Sequence, residues 1–342
     1  MKALVLTEYK KMEIQDVPMP VIAEDEVLIR VKSCGICGSD IHGYDGSTGR
    51  RIPPVIMGHE ASGMIVETGS KVSGWKKDDR VTFDSTIYCG HCWYCRQGLI
   101  NLCDNRLVLG VSCDEYRKNG AFAEYVAVPQ HILYALPDTV SFDQAALVEP
   151  LSIAVHAVDI SPHHLNTSVT VVGTGMVGLF VVQALRAAGY GKIIAVDVDQ
   201  KRLEIAKQMG ADETVISDEN SVANIRNLTD GKGTDAAFEV VGSGTTFNLA
   251  VNSVRKGGSV TLIGNLSPKA DFPLQSVVTR QIRLQGSCAS AGEYPACLDL
   301  IARGAADVNP IISATAPLED GAKWFDDLYN RRVSALKVVL NP

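Results

Sequence analysis

Short apolar runs separated by turn-forming residues fill the first third of the chain. The strand-length runs are residues 27–31, 61–66, 80–83 and 121–128. Pro53-Pro54 and Ser73-Gly74 are among the turn signals between them. Short strands that are interrupted this often are typical of a β-rich, barrel-like domain.

The pattern changes near Pro150, where strand-length apolar runs begin to alternate with helix-length segments. Residues 169–172 predict a strand buried on both faces, 178–188 an almost wholly apolar helix, and 201–209 an amphipathic helix that Gly210 ends. Further strand-length runs are residues 192–197, 214–216, 236–241 and 259–263; after about Gly286 the chain reverts to mixed helix and turn and ends in the strand-like run 335–340. This β-α-β alternation predicts a parallel sheet with helices on both faces.

Length and composition limit the possible classes of protein. The 342 residues correspond to two domains at roughly 150 residues each, and 46% hydrophobic residues argue against disorder. The net charge of −7 argues against a nucleic-acid partner, because a phosphate backbone requires a basic face. The uncharged run 166–185 contains three glycines and several hydroxyls, so we interpret it as a buried βα unit and expect no membrane span.

The chain has nine cysteines, and their chemistry depends on whether the protein lies in a reducing or an oxidising compartment. The first residues lack a basic patch followed by a long apolar core, so we expect no export signal and a cytoplasmic location. In a reducing cytosol, clustered thiols hold metal more often than they form disulfides.

Residues 173–178 read Gly-Thr-Gly-Met-Val-Gly, the spacing of a dinucleotide-binding turn between a strand and a helix. Gly173 permits the tight turn, Gly175 lets the backbone approach a pyrophosphate, and Gly178 lets the helix pack closely on the strand. The pyrophosphate would lie at the helix N-terminus, where free N–H groups attract an anion. The alternative is a glycine turn that holds no ligand.

Asp197 ends the next predicted strand, about twenty residues beyond the glycine motif. A carboxylate at this position accepts hydrogen bonds from the ribose of NAD and repels the extra phosphate of NADP. The sequence therefore favours NAD. Arg202 is nearby in the chain and leaves NADP as the alternative.

Four cysteines follow the spacing C-x2-C-x2-C-x7-C: Cys89, Cys92, Cys95 and Cys103. Four thiolates can close a tetrahedral zinc site with no open position, which is typical of a structural site. An iron–sulfur cluster is the alternative, since short C-x2-C runs also hold such clusters. Four other cysteines are expected to be ordinary buried residues: Cys34, Cys113, Cys288 and Cys297.

A second set of metal-ligating residue types is spread along the first half of the chain. Cys37, the pair His59-Glu60 and Glu149 all lie in glycine- or proline-flanked segments. One thiolate, one imidazole and one or two carboxylates can supply three protein ligands and leave a fourth position open, as in a catalytic zinc site. Each residue taken alone would more often be an ordinary polar side chain.

With these motifs in this order, the chain resembles the zinc-containing medium-chain dehydrogenase/reductase superfamily, in particular its sorbitol (polyol) dehydrogenase branch. The resemblance rests on residues 37–42, 58–60 with Gly63, 89–103, 149–152, and 173–178 with Asp197. It implies a GroES-like, β-rich catalytic domain formed by residues 1–152 and 287–342, with a structural zinc lobe at 89–103. It further implies a Rossmann NAD-binding domain, a doubly wound parallel sheet, at residues 153–286, and a homodimer or homotetramer.

The family pattern implies a role for each matching residue. Cys37, His59 and Glu60 match ligands of a catalytic zinc, with Glu149 binding the metal directly or through its water; which carboxylate binds at rest stays open. Ser39 and His42 match a proton relay, and Tyr44 a substrate-pocket position. Cofactor contacts are implied at Gly173, Gly175, Met176, Val177, Gly178, Asp197, Arg202, Ile263, Gly264, Asn265, Ser287, Cys288 and Ala289.

Two features depart from the sorbitol dehydrogenase pattern. An arginine that contacts the polyol in that branch is absent near Ala289, which puts sorbitol itself in doubt. Arg50 and Arg51 could contact a substrate phosphate or carboxylate, as in the galactitol-phosphate dehydrogenase relatives. The simpler interpretation, which we favour, is a solvated basic turn.

The expected function is that of an NAD-dependent enzyme with two zinc ions per chain, one catalytic and one structural. It would transfer hydride from a secondary alcohol of a polyol, a sugar alcohol that can carry phosphate, or a sugar acid. An L-threonine 3-dehydrogenase-like enzyme is one alternative. A non-enzymatic nucleotide-binding protein on the same scaffold is another.

Overall fold

The computed structural model describes residues 1–113, 117–162 and 164–342. Its strands are β1 (Lys2–Glu8), β2 (Lys11–Asp16), β3 (Glu26–Gly35), β4 (Val55–Ile56), β5 (Glu60–Thr68), β6 (Arg80–Phe83), β7 (Thr86–Ile87), β8 (Leu107–Leu109), β9 (Arg117–Lys118), β10 (Tyr125–Pro129), β11 (Leu133–Ala135), β12 (Val169–Val172), β13 (Ile193–Asp197), β14 (Glu213–Ile216), β15 (Thr234–Glu239), β16 (Val254–Leu262), β17 (Arg283–Gly286), β18 (Ile312–Pro317) and β19 (Lys337–Asn341). Its α-helices are α1 (Gly38–Gly43), α2 (Trp93–Arg96), α3 (Phe142–Ala146), α4 (Val148–Asp159), α5 (Met176–Ala187), α6 (Gln200–Gln208), α7 (Ser221–Asn227), α8 (Gly244–Ser253), α9 (Leu274–Thr279), α10 (Tyr294–Ala302) and α11 (Gly321–Tyr329).

The chain folds into two compact units. The first comprises residues 1–149, 294–302 and 308–342, and the second residues 150–293 and 303–307. Residues 150–152, 287–293 and 303–307, which the sequence analysis assigned to the first domain, lie in the second unit. Among the described residues, none of the helices has the length and apolar composition that a bilayer span requires.

The first unit is rich in β-strands, as its broken apolar pattern predicts. Most of its strand pairs are antiparallel, and β8–β9 and β18–β19 are parallel. Its largest sheet runs in the order β11-β6-β5-β3-β19-β18, with β10 also paired to β3. Two three-stranded sheets, β2-β1-β4 and β7-β8-β9, complete it. The predicted strand at 121–128 is shorter in the structure, where regular pairing covers only Tyr125–Pro129.

The register of β3 brings together three segments that are distant in sequence. Gly35 at the end of β3 lies opposite Glu60 at the start of β5 and opposite Val339 in β19. The residues that follow β3 and precede β5 are therefore held at one end of the sheet. The side chains of Cys37, His59 and Glu60 converge there with that of Lys337, the first residue of β19.

The second unit is a six-stranded, wholly parallel sheet in the order β14-β13-β12-β15-β16-β17. Chain order reverses between β12 and β15, which makes the carboxyl ends of these two strands the switch point where such sheets bind ligands. Strand β12 is buried on both faces, and α5 begins within the glycine motif, at Met176. The doubly wound class predicted from the sequence is confirmed.

Gly178 is required by packing between α5 and the turn before it. A Cβ at this position would overlap the backbone carbonyl of Gly173. Gly178→Ala is therefore expected to destabilise the second unit by about 1–3 kcal/mol, the usual cost of overpacking. Thermal unfolding followed by circular dichroism measures this loss.

Gly175→Ala is the matched control. A Cβ at Gly175 meets nothing within 4 Å, and Gly175 has an ordinary φ of −64° as the N-cap of α5. Its cost is expected to stay at or below about 1 kcal/mol, the preference for Gly over Ala at an N-cap. Equal losses for the two variants would contradict the packing role of Gly178.

Candidate functional site

A sulfur, a nitrogen and an oxygen donor meet at the end of the central sheet of the first unit. Atoms of Cys37, His59 and Glu60 that can bind metal all lie within 4.8 Å of one another. Cys37 follows β3 and caps α1, its Sγ accepting the backbone N–H of Ser39 at 3.4 Å. Antiparallel pairing of β3 with β5 holds His59 and Glu60 opposite this turn.

His59 is buried and lies between two polar side chains. Its Nε2 is 3.5 Å from Ser39 Oγ, and its Nδ1 is 3.5 Å from Asp40 Oδ1 with no hydrogen bond formed. Burial lowers the pKa of His59, but the negative charge of Asp40 outweighs it and raises the pKa well above the usual value. A carboxylate behind a histidine fixes the ring and increases its basicity as a metal ligand.

Asp40 is fully buried and is held by an arginine. Arg51 donates to Asp40 Oδ1 from Nη2 at 2.9 Å and from Nε at 3.3 Å. Burial acts to raise the pKa of Asp40, but the charges of His59 and Arg51 hold it well below its usual range. Asp40 is therefore an ionised carboxylate behind His59, a role that sequence reasoning missed.

The position of Arg51 corrects the interpretation of the Arg50-Arg51 pair. Arg51 is 4% exposed and paired to Asp40, so it neither lies in a solvated turn nor points to a substrate phosphate. Arg51 is buried because the carboxylate of Asp40, in the buried part of α1, requires a cation to compensate its charge. Arg50 is exposed, as the solvated interpretation expected.

Glu60 is fully buried and forms an ion pair with a lysine near the C-terminal end of the sequence. Lys337, itself 1% exposed, pairs with Glu60 Oε2 and donates to the carbonyl of Ile36 at 2.9 Å. Glu60 Oε1 has no hydrogen-bond partner among the residues that the structure describes. Sequence reasoning missed Lys337, although a lone lysine in the apolar run 335–340 was a usable signal.

Glu149 lies in the first turn of α4, outside the set of three donors that meet within 4.8 Å. Its Oε1 accepts a hydrogen bond from Ser85 Oγ at 3.1 Å. Burial, with a smaller contribution from the charge of Glu60, raises the pKa of Glu149 to about 7. The charges of His59 and Glu60 thus affect the pKa of Glu149, but the Glu149 carboxylate does not lie within 4.8 Å of all three donor atoms.

The donor set fits a zinc ion. Thiolate, imidazole and carboxylate are the three ligand types of catalytic zinc sites. Glu60 Oε1 is a buried acceptor without a partner, which is costly unless a cation or donor satisfies it. These residues would hold the metal between the ends of β3 and β5.

The other three residues assigned to this site differ in position: Ser39 lies beside His59, His42 lies one turn farther along α1, and Tyr44 is buried. Ser39 and His42 are both exposed, and Ser39 Oγ also lies 3.5 Å from Arg51 Nη2. Tyr44 is 3% exposed, donates to the carbonyl of Lys10 at 2.6 Å and packs on Phe325. That burial gives Tyr44 a packing role, and its substrate contact stays a prediction.

The four cysteines of the segment 89–103 also converge. The sulfur atoms of Cys89, Cys92, Cys95 and Cys103 all lie within 4.8 Å of one another. Backbone N–H groups point at these sulfurs, including Cys89 N to Cys103 Sγ at 3.3 Å. Hydrogen bonds, the largest from the backbone of His91, lower the pKa of Cys89 to about 6, which favours the thiolate that binds metal. The set fits a closed four-sulfur site.

Two of the remaining cysteines differ from the expectation of burial. Cys34 and Cys297 are buried, whereas Cys113 is half-buried and Cys288 is exposed. Cys288 follows β17 at the sheet edge, where the chain leaves the core. The expectation was therefore wrong for Cys288.

In the second unit, the glycine turn sits at the carboxyl end of β12 as predicted. Gly173 has φ +96°, a conformation that favours glycine, and Gly175 is the N-cap of α5 with open space beside it. Free N–H groups at this helix terminus can receive an anion. Met176 and Val177 form the first turn of the helix.

Asp197 ends β13 beside this turn. Its Oδ2 accepts the backbone N–H of Thr174 at 2.7 Å and the hydroxyl of Thr174 at 3.0 Å, and its Oδ1 accepts the N–H of Asp199. Asp197 is thereby fixed with its carboxylate at the carboxyl edge of the sheet. Arg202 lies one helical turn farther, 3.9 Å from Asp199.

The other cofactor positions lie at the same edge. Residues 263–265 follow β16, and Ile263 N and Gly264 N both donate to the carbonyl of Glu239. Ser287 follows β17 with a buried hydroxyl that has no hydrogen-bond partner, and Ala289 has φ +52°. All the predicted cofactor residues therefore lie at or after the carboxyl ends of strands in one sheet.

Sequence reasoning missed residues 239–242, the turn at the end of β15 on the carboxyl edge of the sheet. Glu239 is buried, and its carboxylate accepts the backbone N–H groups of Val241 and Gly242 at 2.8–3.0 Å. Gly242 has φ +85°, and a Cβ there would overlap the backbone of Asn265. The Val-Gly pair after an apolar run was the available signal.

Comparison with protein-family models matches both units. Residues 23–138 match the alcohol dehydrogenase GroES-like domain, and residues 176–303 match the zinc-binding dehydrogenase domain.

Curated relatives align over nearly the whole chain. Sorbitol dehydrogenase of Bacillus subtilis (strain 168) is 33% identical, covering 100% of this chain and 97% of the relative. L-idonate 5-dehydrogenase of Vitis vinifera is 35% identical, covering 97% and 92%. D-arabitol-phosphate dehydrogenase of Enterococcus avium is 33% identical, covering 98% and 95%.

Solved structures show the same fold. Galactitol-1-phosphate dehydrogenase of Escherichia coli superposes with a TM-score of 0.92 at 26% identity, covering 100% of both chains. A zinc-binding dehydrogenase of Sinorhizobium meliloti 1021, bound to NADP, superposes with a TM-score of 0.90 at 30% identity, covering 100% of this chain and 99% of that one.

Asp40→Asn tests whether the buried carboxylate supports His59. The substitution keeps size and one acceptor but removes the charge, so zinc affinity at the three-donor site should fall by about 10–100-fold. Zinc content after titration with chelators of increasing strength measures this change in affinity.

Cys37→Ser removes a donor from the first site. The variant should lose one zinc ion per chain and keep the ion held by the four cysteines of the segment 89–103.

Glu204→Gln, on the exposed face of α6 in the other unit, is the control for loss of one negative charge. Unchanged zinc affinity in Asp40→Asn would contradict the supporting role. Loss of both zinc ions in Cys37→Ser would contradict the division into two sites.

Proposed function

The chain belongs to the zinc-binding alcohol dehydrogenase family with a GroES-like domain, and we propose that it oxidises a secondary alcohol of a polyol, sugar alcohol or sugar acid with NAD. The observation that carries this proposal is the convergence of Cys37, His59 and Glu60 on one point, with Glu60 Oε1 lacking a partner. The curated relatives, which are named for sorbitol, idonate and arabitol phosphate, support the substrate class.

In the proposed reaction, a zinc ion supplies Lewis acidity that lowers the pKa of a coordinated hydroxyl, and NAD supplies the hydride acceptor. Cys37, His59 and Glu60 would hold the metal. Asp40 orients the ring of His59, and Lys337 limits the negative charge that Glu60 brings to the site. The second metal ion would be held by the four cysteines of the segment 89–103 and would support that lobe.

The substrate proton needs a path to solvent. Ser39 is exposed and its hydroxyl is 3.5 Å from His59 Nε2, so it can accept a proton beside the donor cluster and release it to water. His42, also exposed, is one turn farther along α1. We propose this pair as the relay, with Glu149, whose pKa is raised to about 7 by burial, as the alternative acceptor.

We propose NAD as the physiological cofactor because of the fixed position of Asp197. Thr174 and the backbone of Asp199 hold its carboxylate at the carboxyl edge of β13, where it can accept ribose hydroxyls. A fixed negative charge there opposes the extra phosphate of NADP. The Sinorhizobium structure, which contains NADP, makes the distinction worth testing.

Among the proposed substrates, we favour those without phosphate. Arg51 is committed to Asp40, which leaves Arg50 as the one exposed cation of that pair. The commitment of Arg51 to Asp40 therefore supports an uncharged polyol more than a polyol phosphate.

We propose a homodimer or homotetramer in a reducing compartment such as the cytosol. Strand β17 is an edge strand of the parallel sheet, and the segment beside it exposes large apolar side chains: Leu266, Phe272, Leu274 and Val278. Exposed apolar patches of this kind are typical of association surfaces. The four-cysteine site requires reduced thiols.

Asp197→Ala should change the choice of cofactor. Without the carboxylate, the ratio of kcat/KM for NAD to that for NADP is expected to fall about tenfold or more, because the hydrogen bonds to the ribose and the repulsion of the phosphate are both lost. Steady-state kinetics with both cofactors measure the ratio. Glu204→Gln, an exposed charge change on the next helix, should leave it within twofold; an unaltered ratio in Asp197→Ala would exclude Asp197 as the ribose ligand.

A substrate panel tests the proposed reaction. NAD reduction should occur with polyols or aldonates and should stop after removal of the zinc ion with a chelator, then return on adding zinc. Polyol phosphates and L-threonine belong in the same panel, since preference for either would replace the proposed substrate class. Turnover that survives complete removal of zinc would contradict the mechanism.

A further inference from the structure

Five basic side chains surround a cavity of about 460 Å³ in the second unit. The basic residues that line it are Arg226, Lys232, Arg255, Lys256 and Arg280. They come from the end of α7, the loop before β15, the start of β16 and the residue after α9. This basic cavity therefore lies at the amino edge of the parallel sheet, whereas the glycine turn lies at the carboxyl edge.

Among the described residues, most of this positive charge has no counter-charge. Asp235 pairs with Arg255 at 2.6 Å. In the described part of the chain, the other four cations form no ion pair. Arg280 donates to the backbone carbonyls of Val251, at 3.1 Å, and Val254, which satisfy its hydrogen bonds but do not neutralise it. Burial, and then the charge of Arg226, lower the pKa of Arg280.

Helix C-termini explain only part of this concentration of charge. Helices α7, α8 and α9 all end near the cavity, at Asn227, Ser253 and Thr279. Each C-terminus is equivalent to about −0.5 charge, so three offset about −1.5 charges at most, and short helices offset less. Four unpaired cations exceed that amount, and the excess remains directed at the cavity.

We propose that the basic cavity binds a small molecule that carries two or more phosphate groups. Arginine forks and lysine ammonium groups are the side chains that recognise phosphate, and several of them at separate points match several phosphates better than one. The cavity is within the range of ligand pockets and larger than one phosphate requires. A neighbouring cavity of about 580 Å³ shares Arg255 and adds Arg283, which gives room for the rest of the molecule.

The basic cavity is separate from the dinucleotide site. Strands of four to six residues, such as β12 and β15, lie between the two edges of the sheet, a distance of about 15–20 Å. One pyrophosphate cannot contact both places at once. The proposal is therefore independent of the hydride-transfer function, and the two can fail separately.

Sodium tripolyphosphate is the probe, because it has no nucleoside to direct it to the glycine turn. Binding is measured by isothermal titration calorimetry on the full-length, zinc-loaded protein at fixed ionic strength, with NAD at saturation. The test variant is Lys232→Gln combined with Lys256→Gln. Both side chains are exposed, so folding should be preserved, whereas Arg280 is avoided because it bonds the backbone.

The matched control is Lys77→Gln combined with Lys207→Gln, two exposed lysines away from the cavity. The test variant should raise the Kd about tenfold or more, since two charge-assisted contacts are lost, and the control should stay within twofold. Equal weakening in both variants would reduce the effect to net charge and overturn the proposal. If tripolyphosphate does not bind the wild-type protein when NAD is at saturation, the proposal is likewise overturned.

Hydrogen exchange locates the bound probe. Tripolyphosphate should protect the backbone of residues 226–232 and 254–258 in the wild-type protein. Protection confined to residues 173–178 would mean that the probe occupies the glycine turn, and it would overturn the proposal. Turnover with NAD should be the same in wild type and in the Lys232→Gln, Lys256→Gln variant, which keeps this result distinct from a failure of the proposed dehydrogenase function.

Discussion

The first unit depends on the mutual satisfaction of buried charges around Cys37, His59 and Glu60. An ionised group in the protein interior costs several kcal/mol unless a partner compensates it. Asp40 is compensated by Arg51, and Glu60 by Lys337, so each acidic group has a cation from another segment. Removing either cation would leave an uncompensated carboxylate beside the donor cluster.

This network also explains why the site is assembled from distant segments. Arg51 precedes β4, and Lys337 opens β19, yet both reach the turn between β3 and α1 because β3 is central in its sheet. Antiparallel pairing places the end of one strand beside the start of the next, so residues 37 and 59 become neighbours. In the second unit, parallel pairing places all carboxyl ends on one edge, and the residues from five loops share it. Two different strand arrangements thus position two sets of functional side chains on rigid elements.

The sequence predicted what short-range spacing encodes. The Cys89–Cys103 segment, the glycine turn and the alternation of the second unit are local patterns, and the fold class that they predicted is confirmed. Arg51 and Lys337 show what spacing cannot encode, because their partners are set by strand register and by contacts across the sheet. Arg51 was interpreted as part of a solvated turn for that reason. Tyr44 illustrates the same limit, since burial against Phe325 comes from the C-terminal part of the chain.

Net charge was the least informative property of the sequence. A total of −7 argues against a nucleic-acid partner, but it conceals a concentration of cations at one edge of one sheet. Charge acts over about 10 Å at moderate salt, so a ligand responds to the side chains within that distance and not to the sum over the chain. The two edges of the parallel sheet illustrate this point. The carboxyl edge presents the glycine turn and Asp197, and the amino edge presents Arg226, Lys232 and Lys256. The sheet therefore has an anion-binding helix terminus and an acceptor for hydroxyl groups at one edge, and the proposed second phosphate-binding cavity at the other.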